Sequence, residues 1–373
     1  MKGSIKKNKA TGKWDFIVDV GKDPKTGRRK QKRKRGFHTK REAENALASL
    51  LNELNNGTFI EPTKLTVNEF FEEWLKERLS QVSRHTYKTH TSLYKHHIQP
   101  LLGGLELCSI NSSLLQKYVN ELVTQTDLHV NSIRKVVSLL KLGFAKAKRL
   151  GLIQHNPVTN IDMPREVKPN LGVWTIEETQ KFLQYTFNYR YYIAYLLAIN
   201  TGMRKGEILG LRWRDINFEE NIIYINQILE PDGKVFKSGA KTSSGVRSIH
   251  ISRHLLLQLK KEKVERNQER LKIGSSYNDN DLVVCTKYGN PVDPPSFSKR
   301  FKELSAKAGL PVIRFHDLRH THATMLIQQN VNPKVISERL GHSNIQITLN
   351  LYSHVLPSMQ QDVADKLDKL FDL

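Results

Sequence analysis

The sequence predicts a multidomain protein. It should hold a small N-terminal three-stranded sheet plus helix, an all-helical domain, and a mainly helical α+β domain with a small three-stranded sheet. Length and composition come first: 373 residues, 38% hydrophobic and 26% charged, suit two or three compact bodies with sizeable cores. Uneven charge comes second. Residues 1–41 carry 16 Lys and Arg against 3 Asp, over half of the formal net charge of +22. Two polar, Pro-bearing or Gly-bearing stretches, each followed by a helix-start signal, divide the rest at 57–64 and 157–173.

In the first body, residues 1–57, Trp14, Phe16, Val18 and Val20 alternate with Asp15, Ile17 and Asp19, the pattern of a half-buried strand. Asp23 to Gly27 has turn chemistry. The run Arg28, Arg29, Lys30, Lys32, Arg33, Lys34 and Arg35 is basic on both faces, so as a strand it needs solvent or a polyanion over it. Thr39 and Glu42 form a capping box that opens a helix with Ala43, Ala46, Leu47, Leu50, Leu51 and Leu54 on one stripe. A basic ribbon on such a sheet suits a nucleic-acid groove; a solvated charged face is the plain alternative.

The second body, residues 65–157, opens with a capping box at Thr66 and Glu69, followed by Val67, Phe70, Phe71, Trp74 and Leu75 at helical spacing. Further helices are expected at 84–98, 112–123 and 130–150, the last closed by Gly151. Core packing accounts for their apolar stripes. The third body, residues 174–373, starts with a capping box at Thr175 and Glu178. Three short strands are expected at 222–225, 235–237 and 247–251, with turns at Pro231–Gly233 and 241–245.

Four local patterns in this third body carry chemistry. Gly202 permits a sharp turn after an apolar helix, and Arg204 opens the next; a lone arginine there is more often a surface ion pair with Glu207. His316 and Arg319, three residues apart, share a helix face. Gly341 ends a helix and presents His342. Tyr352 follows ten residues later, on a short helix that Ser343 can cap. A tyrosine on a helix is usually core; its company raises this one.

The order Arg204, His316-x-x-Arg319, Gly341-His342, Tyr352 resembles the tyrosine recombinase (phage integrase) family, over residues 175–355, and in particular integrases of bacteriophages and integrative conjugative elements. The resemblance implies a catalytic set of Arg204, Lys241, His316, Arg319, His342 and the nucleophile Tyr352, with Lys237 and Lys234 as competitors for the lysine. It also implies arm-binding and core-binding domains in residues 1–57 and 65–157, with Arg28, Arg29, Lys30, Lys32, Arg33, Lys34 and Arg35 on DNA. The reaction implied is site-specific integration and excision through a 3′-phosphotyrosine, with no metal, ATP or other cofactor. A homotetramer on double-stranded attachment sites, an excisionase, a DNA-bending host factor and a bacterial cytoplasm, nucleoid-associated when bound, are implied alongside.

The chemistry agrees. Guanidinium groups offer forked, permanently charged donors to phosphate oxygens that gain charge in the transition state. A tyrosine hydroxyl, with its ordinary pKa near 10, needs a base. Three rivals stand beside this reading. One is a DNA-binding protein without chemistry. Another is a metal nuclease built on His316, His320, His322, His342 and His354. The third is a type IB topoisomerase, which needs no second class of binding site. No run of about 18 apolar residues is present, so no membrane span is expected. Cys108 and Cys285 suggest neither a disulfide framework nor a zinc site. In the tail, Met359, Val363, Leu367 and Leu370 recur at helical spacing and could pack in cis or on a neighbouring subunit.

Overall fold

The computed structural model describes residues 3–22, 27–56, 64–165, 172–238, 247–342, 344–352 and 368. The chain falls into two compact units, Met1–Lys168 and Pro169–Leu373.

The first unit begins with strands β1 (Gly3–Lys7), β2 (Trp14–Lys22) and β3 (Arg29–Phe37), antiparallel in that order, and helix α1 (Lys40–Asn55). Helix α1 starts where the capping box was expected: Thr39 accepts from Glu42 N at 3.2 Å, and Glu42 accepts from Thr39 N. Phe16, Val18, Leu47 and Leu50 form the core beneath it. Register sorts the basic ribbon. Directly opposed residues share a face, so Lys34 beside Phe16 and Lys32 beside Val18 lie on the core side. Arg33 beside Ile17 and Gln31 beside Asp19 lie on the other side. Asp15, expected to face solvent, is buried: Arg33 Nη2 donates to it at 3.0 Å and Gly36 N at 3.1 Å.

Helices α2 (Val67–Arg78), α3 (Arg84–Leu93), α4 (Gln99–Leu102), α5 (Ser112–Gln125) and α6 (Val130–Arg149) complete this unit. Between α3 and α4 the chain stays helical but widens into one π-turn, Tyr94–Ile98, where Gln99 N reaches back to Tyr94 O. Pro100, which has no N–H to give, follows directly. Phe71 stacks on Tyr94, with ring centroids 5.4 Å apart, and anchors the core with Trp74 and Phe144. Residues 157–164, expected to be linker, are docked instead. Pro157 and Val158 are buried, Ser112 Oγ donates to Pro157 O at 2.8 Å, and Arg134 Nη1 to Pro164 O at 3.0 Å.

The second unit runs α7 (Ile176–Thr186), α8 (Tyr192–Thr201), α9 (Lys205–Leu209), β4 (Ile216–Asn217), β5 (Ile222–Tyr224), β6 (Gln227–Leu229), β7 (Phe236–Ser238) and β8 (Ser248–His250). It continues with α10 (Arg253–Ile273), α11 (Pro294–Lys307), α12 (Asp317–Gln328), α13 (Pro333–Leu340) and α14 (Ile345–Tyr352). All three expected strands exist as β5, β7 and β8, but they do not share a sheet. The three-stranded sheet is β4-β5-β8, while β7 pairs with β6 as a hairpin. Gly233, at φ 69°, makes the turn that holds this hairpin. An aromatic core of Trp174, Phe182, Tyr195, Phe297, Phe301 and Phe315 lies under α8 and α12. A smaller cluster, Ala323, Ile327, Ile336 and Leu340, fastens α13 to α12, and α14 packs on both. Among the described residues no helix is long and apolar enough to cross a membrane.

Candidate active site

Helix α8 is buried on nearly every side and ends at Thr201, where Gly202 takes a left-handed φ of 65°. A Cβ on Gly202 would lie 2.4 Å from Leu340 Cδ2 and 2.7 Å from His322 Cδ2, so glycine serves both turn and packing. Arg204 then stands at the start of α9. Its backbone N donates to Glu207 Oε2 at 2.8 Å; the reciprocal half of a capping box is missing, because arginine has no acceptor.

Arg204 Nη1 donates to Glu207 Oε1 at 2.9 Å, and Nη2 to Gly341 O at 2.8 Å. Arg319, buried on α12, donates through Nη1 to Gly202 O at 2.7 Å. The arginine-bearing turn, the α12 N-terminus and the Gly341-His342 turn are therefore tied together by guanidinium-to-backbone bonds. Arg319 Nη2 is buried and has no hydrogen-bond partner among the described residues. Burial first, and Arg204 second, push the Arg319 guanidinium down to about 9. An incoming anion would offset both by favouring the charged form.

His316 precedes α12, whose start is fixed by Asp317 accepting from Arg314 N at 2.8 Å and Arg314 Nη2 at 2.7 Å. Its ring meets His320 edge-on with centroids 5.3 Å apart. One side of His316 is open to solvent, yet the surrounding protein, followed by His320 and Arg319, holds it low, at about 4. His316 is therefore neutral at neutral pH. His342 is held lower, to about 3, by burial and then by Arg319 and Arg204. Its Nδ1 lies 2.8 Å from Thr348 Oγ1 on α14. Thr348 is fully buried and lies four residues before Tyr352 in the chain. The side chain of Asn344, just before α14, accepts from Gln346 N at 2.9 Å; Ser343, the cap expected from the sequence, lies outside the described residues.

Arg204, His316, Arg319 and His342 thus converge, and α14 ends at Tyr352. Lys241, His354 and the tail positions Met359, Val363, Leu367 and Leu370 lie outside the described residues. Of the competing lysines, Lys237 is ion-paired with Glu230 within the β6–β7 hairpin. His322 is a structural histidine: Nδ1 bonds Ile199 O at 2.7 Å, and Nε2 accepts from Arg339 Nε at 3.3 Å. Among the described residues, no three His, Cys, Asp or Glu side chains gather to hold a metal. Sequence reading passed over Thr348, Arg247 and Arg339; nothing in their local spacing marks them.

Two guanidinium groups and two histidines brought together in this way suit a phosphate oxyanion. Residues 173–359 match the phage integrase family, residues 4–54 an arm DNA-binding domain and residues 66–123 the N-terminal SAM-like domain of phage integrases. A tyrosine recombinase XerC-like protein of Caldanaerobacter subterraneus subsp. tengcongensis is 32% identical over 355 residues, 89% of this chain and 90% of that one. The ICEBs1 integrase of Bacillus subtilis is 26% identical over 374 residues, 98% and 100% of the two chains. In fold, the Tn1549 transposon integrase in complex with transposon right end DNA is similar, with TM-score 0.69 and 22% identity over 80% of this chain and 99% of that one. A lambda integrase tetramer bound to a Holliday junction gives TM-score 0.58 and 18% identity over 93% and 94%. The chain belongs to the phage integrase family of tyrosine recombinases, which cleave and rejoin DNA by transesterification.

Proposed function

We propose that this recombinase integrates and excises a mobile element at specific attachment sites, through a 3′-phosphotyrosine on Tyr352. The observation that carries the assignment of roles is the buried Nη2 of Arg319, unpartnered among the described residues and beside Arg204, a donor pair held ready for phosphate oxygens. Arg204 and Arg319 stabilise the charge that develops as the tyrosine oxygen attacks. His316, neutral, accepts the Tyr352 proton. A Thr348 hydroxyl donating to His342 Nδ1 leaves the proton on Nε2, from which His342 donates to the scissile phosphate. Lys241 protonates the departing 5′ oxygen. The phosphotyrosine conserves the energy of the broken bond, so rejoining needs neither ATP nor metal.

Residues 1–57 serve as the arm-type DNA-binding domain, 65–157 as the core-binding domain, and 174–373 as the catalytic domain with its tail. In the arm domain the open face, with Gln31 and Arg33, meets the DNA, while Lys32 and Lys34 lie on the side of α1. The working species is a homotetramer on two duplexes, assisted by an excisionase and a DNA-bending host factor, in a bacterial cytoplasm and nucleoid-associated when bound. The test uses a nicked attachment-site duplex, taken from the DNA junctions flanking the gene, incubated in chelator without ATP. Wild type yields a covalent protein–DNA band on a denaturing gel and Tyr352→Phe yields none. A band that persists in the variant overturns the nucleophile.

A further inference from the structure

The carboxylate of Glu207 is buried and is shared by two guanidinium groups. Besides Arg204, it accepts from Arg247 Nη1 at 3.1 Å and Nη2 at 2.8 Å, one bond to each oxygen. The Arg247 side chain is largely covered; the residue stands just before β8 and donates through Nε to Arg339 O at 2.8 Å, in the last turn of α13. Its side chain therefore joins three segments: β8, the start of α9, and the helix end that presents Gly341 and His342. It reaches no group assigned above to the phosphate directly.

We infer that Arg247 is a positioning residue for strand cleavage, neutralising Glu207 so that Arg204 keeps its charge for the scissile phosphate. The inference rests on the site assignment proposed above. Glu207 must be present as an acceptor, because it fixes the Arg204 backbone and one of its Nη groups. With a single arginine, that anion would cancel the charge the reaction needs. Three guanidinium groups, Arg204, Arg247 and Arg319, against one carboxylate leave a surplus of two positive charges. Removing Arg247 leaves a surplus of one, just as the phosphorane gains a negative charge. Burial alone would raise the Glu207 carboxyl; Arg247, followed by Arg204, outweighs it and holds the group ionised below its ordinary range. The bidentate Arg247 fork also keeps the carboxylate from rotating fully onto Arg204.

The experiment measures single-turnover covalent complex formation by the full-length chain on the nicked attachment-site duplex, at saturating protein. Duplex affinity and thermal unfolding are followed in parallel. Arg247→Met should slow cleavage about 100-fold while affinity stays within about 3-fold. Arg247→Lys, which keeps the charge but not the fork, should recover about 10-fold of that loss. Glu207→Gln/Arg247→Met, which removes both charges and keeps an amide oxygen for Arg204, should also cleave about 10-fold faster than Arg247→Met. A mere brace gives the opposite order: after normalising to folded protein, the double variant is no faster than the single one, and lysine is as slow as methionine. Should Arg247→Met fail to fold, the double variant decides against wild type. A rate within about 30-fold supports the inference, and a greater loss overturns it. Wild type and Tyr352→Phe run alongside: no covalent product from wild type sinks the site assignment, whereas a normal wild type with the wrong variant order sinks only the role of Arg247.

Discussion

Gly202→Ala perturbs the site at the point where its elements meet. Alanine must hold the left-handed φ of 65°, at a cost of about 1 kcal/mol. Its methyl would fall 2.4 Å from Leu340 Cδ2 and 2.7 Å from His322 Cδ2. Neither neighbour yields readily. Leu340 is fully buried in the α12–α13 cluster, and His322 is held by Ile199 O and Arg339. Overpacking of this kind costs about 1–3 kcal/mol. Together the two effects remove about 2–4 kcal/mol, which for a unit of this size lowers its melting temperature by about 5–15 °C. Denaturant unfolding followed by tryptophan fluorescence reads the stability, and the covalent-complex assay well below the melting temperature reads the site. Cleavage should fall more than stability explains, because Arg319 is aimed by the Gly202 carbonyl and Arg204 by the Gly341 carbonyl beside the displaced Leu340. A variant within about 0.5 kcal/mol of wild type that cleaves normally would refute the claim that this crossing is close-packed.

Three further predictions follow from other contacts. Thr348→Val removes the partner of His342 Nδ1 at a fully buried position, so it should cost about 1–2 kcal/mol and slow covalent-complex formation about 10-fold without weakening DNA binding. His322 has its pKa lowered from 6.5 to about 4, by burial and then by Arg339. The unfolded chain therefore binds the extra proton, and stability declines as pH falls through that window. At about pH 5 the loss from this group is about 2 kcal/mol, so His322→Gln, which cannot titrate, should lessen the fall in urea-derived stability between about pH 7 and pH 5 by about that amount, leaving the shares of His316 and His342. On the N-terminal sheet, Gln31→Ala with Arg33→Ala should weaken arm-site binding more than Lys34→Ala does, measured by titration at fixed salt, whereas equal losses would put DNA on both faces.

The elements were largely legible because their signals are local. Capping boxes at Thr39, Thr66 and Thr175 open helices where they stand, and Gly202 and Gly341 close helices with left-handed turns. The convergence of Arg204, His316, Arg319 and His342 was legible only through the resemblance, since no short-range rule brings residues 204 and 341 together. What escaped was tertiary. Strand β4 holds only two residues, and β6 follows β5 after Ile225 and Asn226 alone, so neither stood apart in the sequence and the partner of β7 was missed. Arg247, Arg339 and Thr348 look like ordinary surface or strand residues until distant chain segments close on them. The docking of residues 157–164 was hidden for a similar reason: prolines suggested a linker, whereas Pro157 and Val158 are buried and Pro157 and Pro164 supply acceptors to Ser112 and Arg134.

Four arginines at and around the site lean on main-chain oxygens. Arg319, Arg339, Arg204 and Arg247 find Gly202 O, Asn200 O, His250 O, Gly341 O and Arg339 O, four of them at the spent ends of α8 and α13. Such oxygens cannot be protonated in the working range, nor removed by changing a side chain. The frame that aims the cations is therefore written in where helices stop rather than in which residues line them. Positions such as Asn200 and His250 are free to drift in identity, and the guanidinium groups will still find their acceptors as long as the chain turns at the same places.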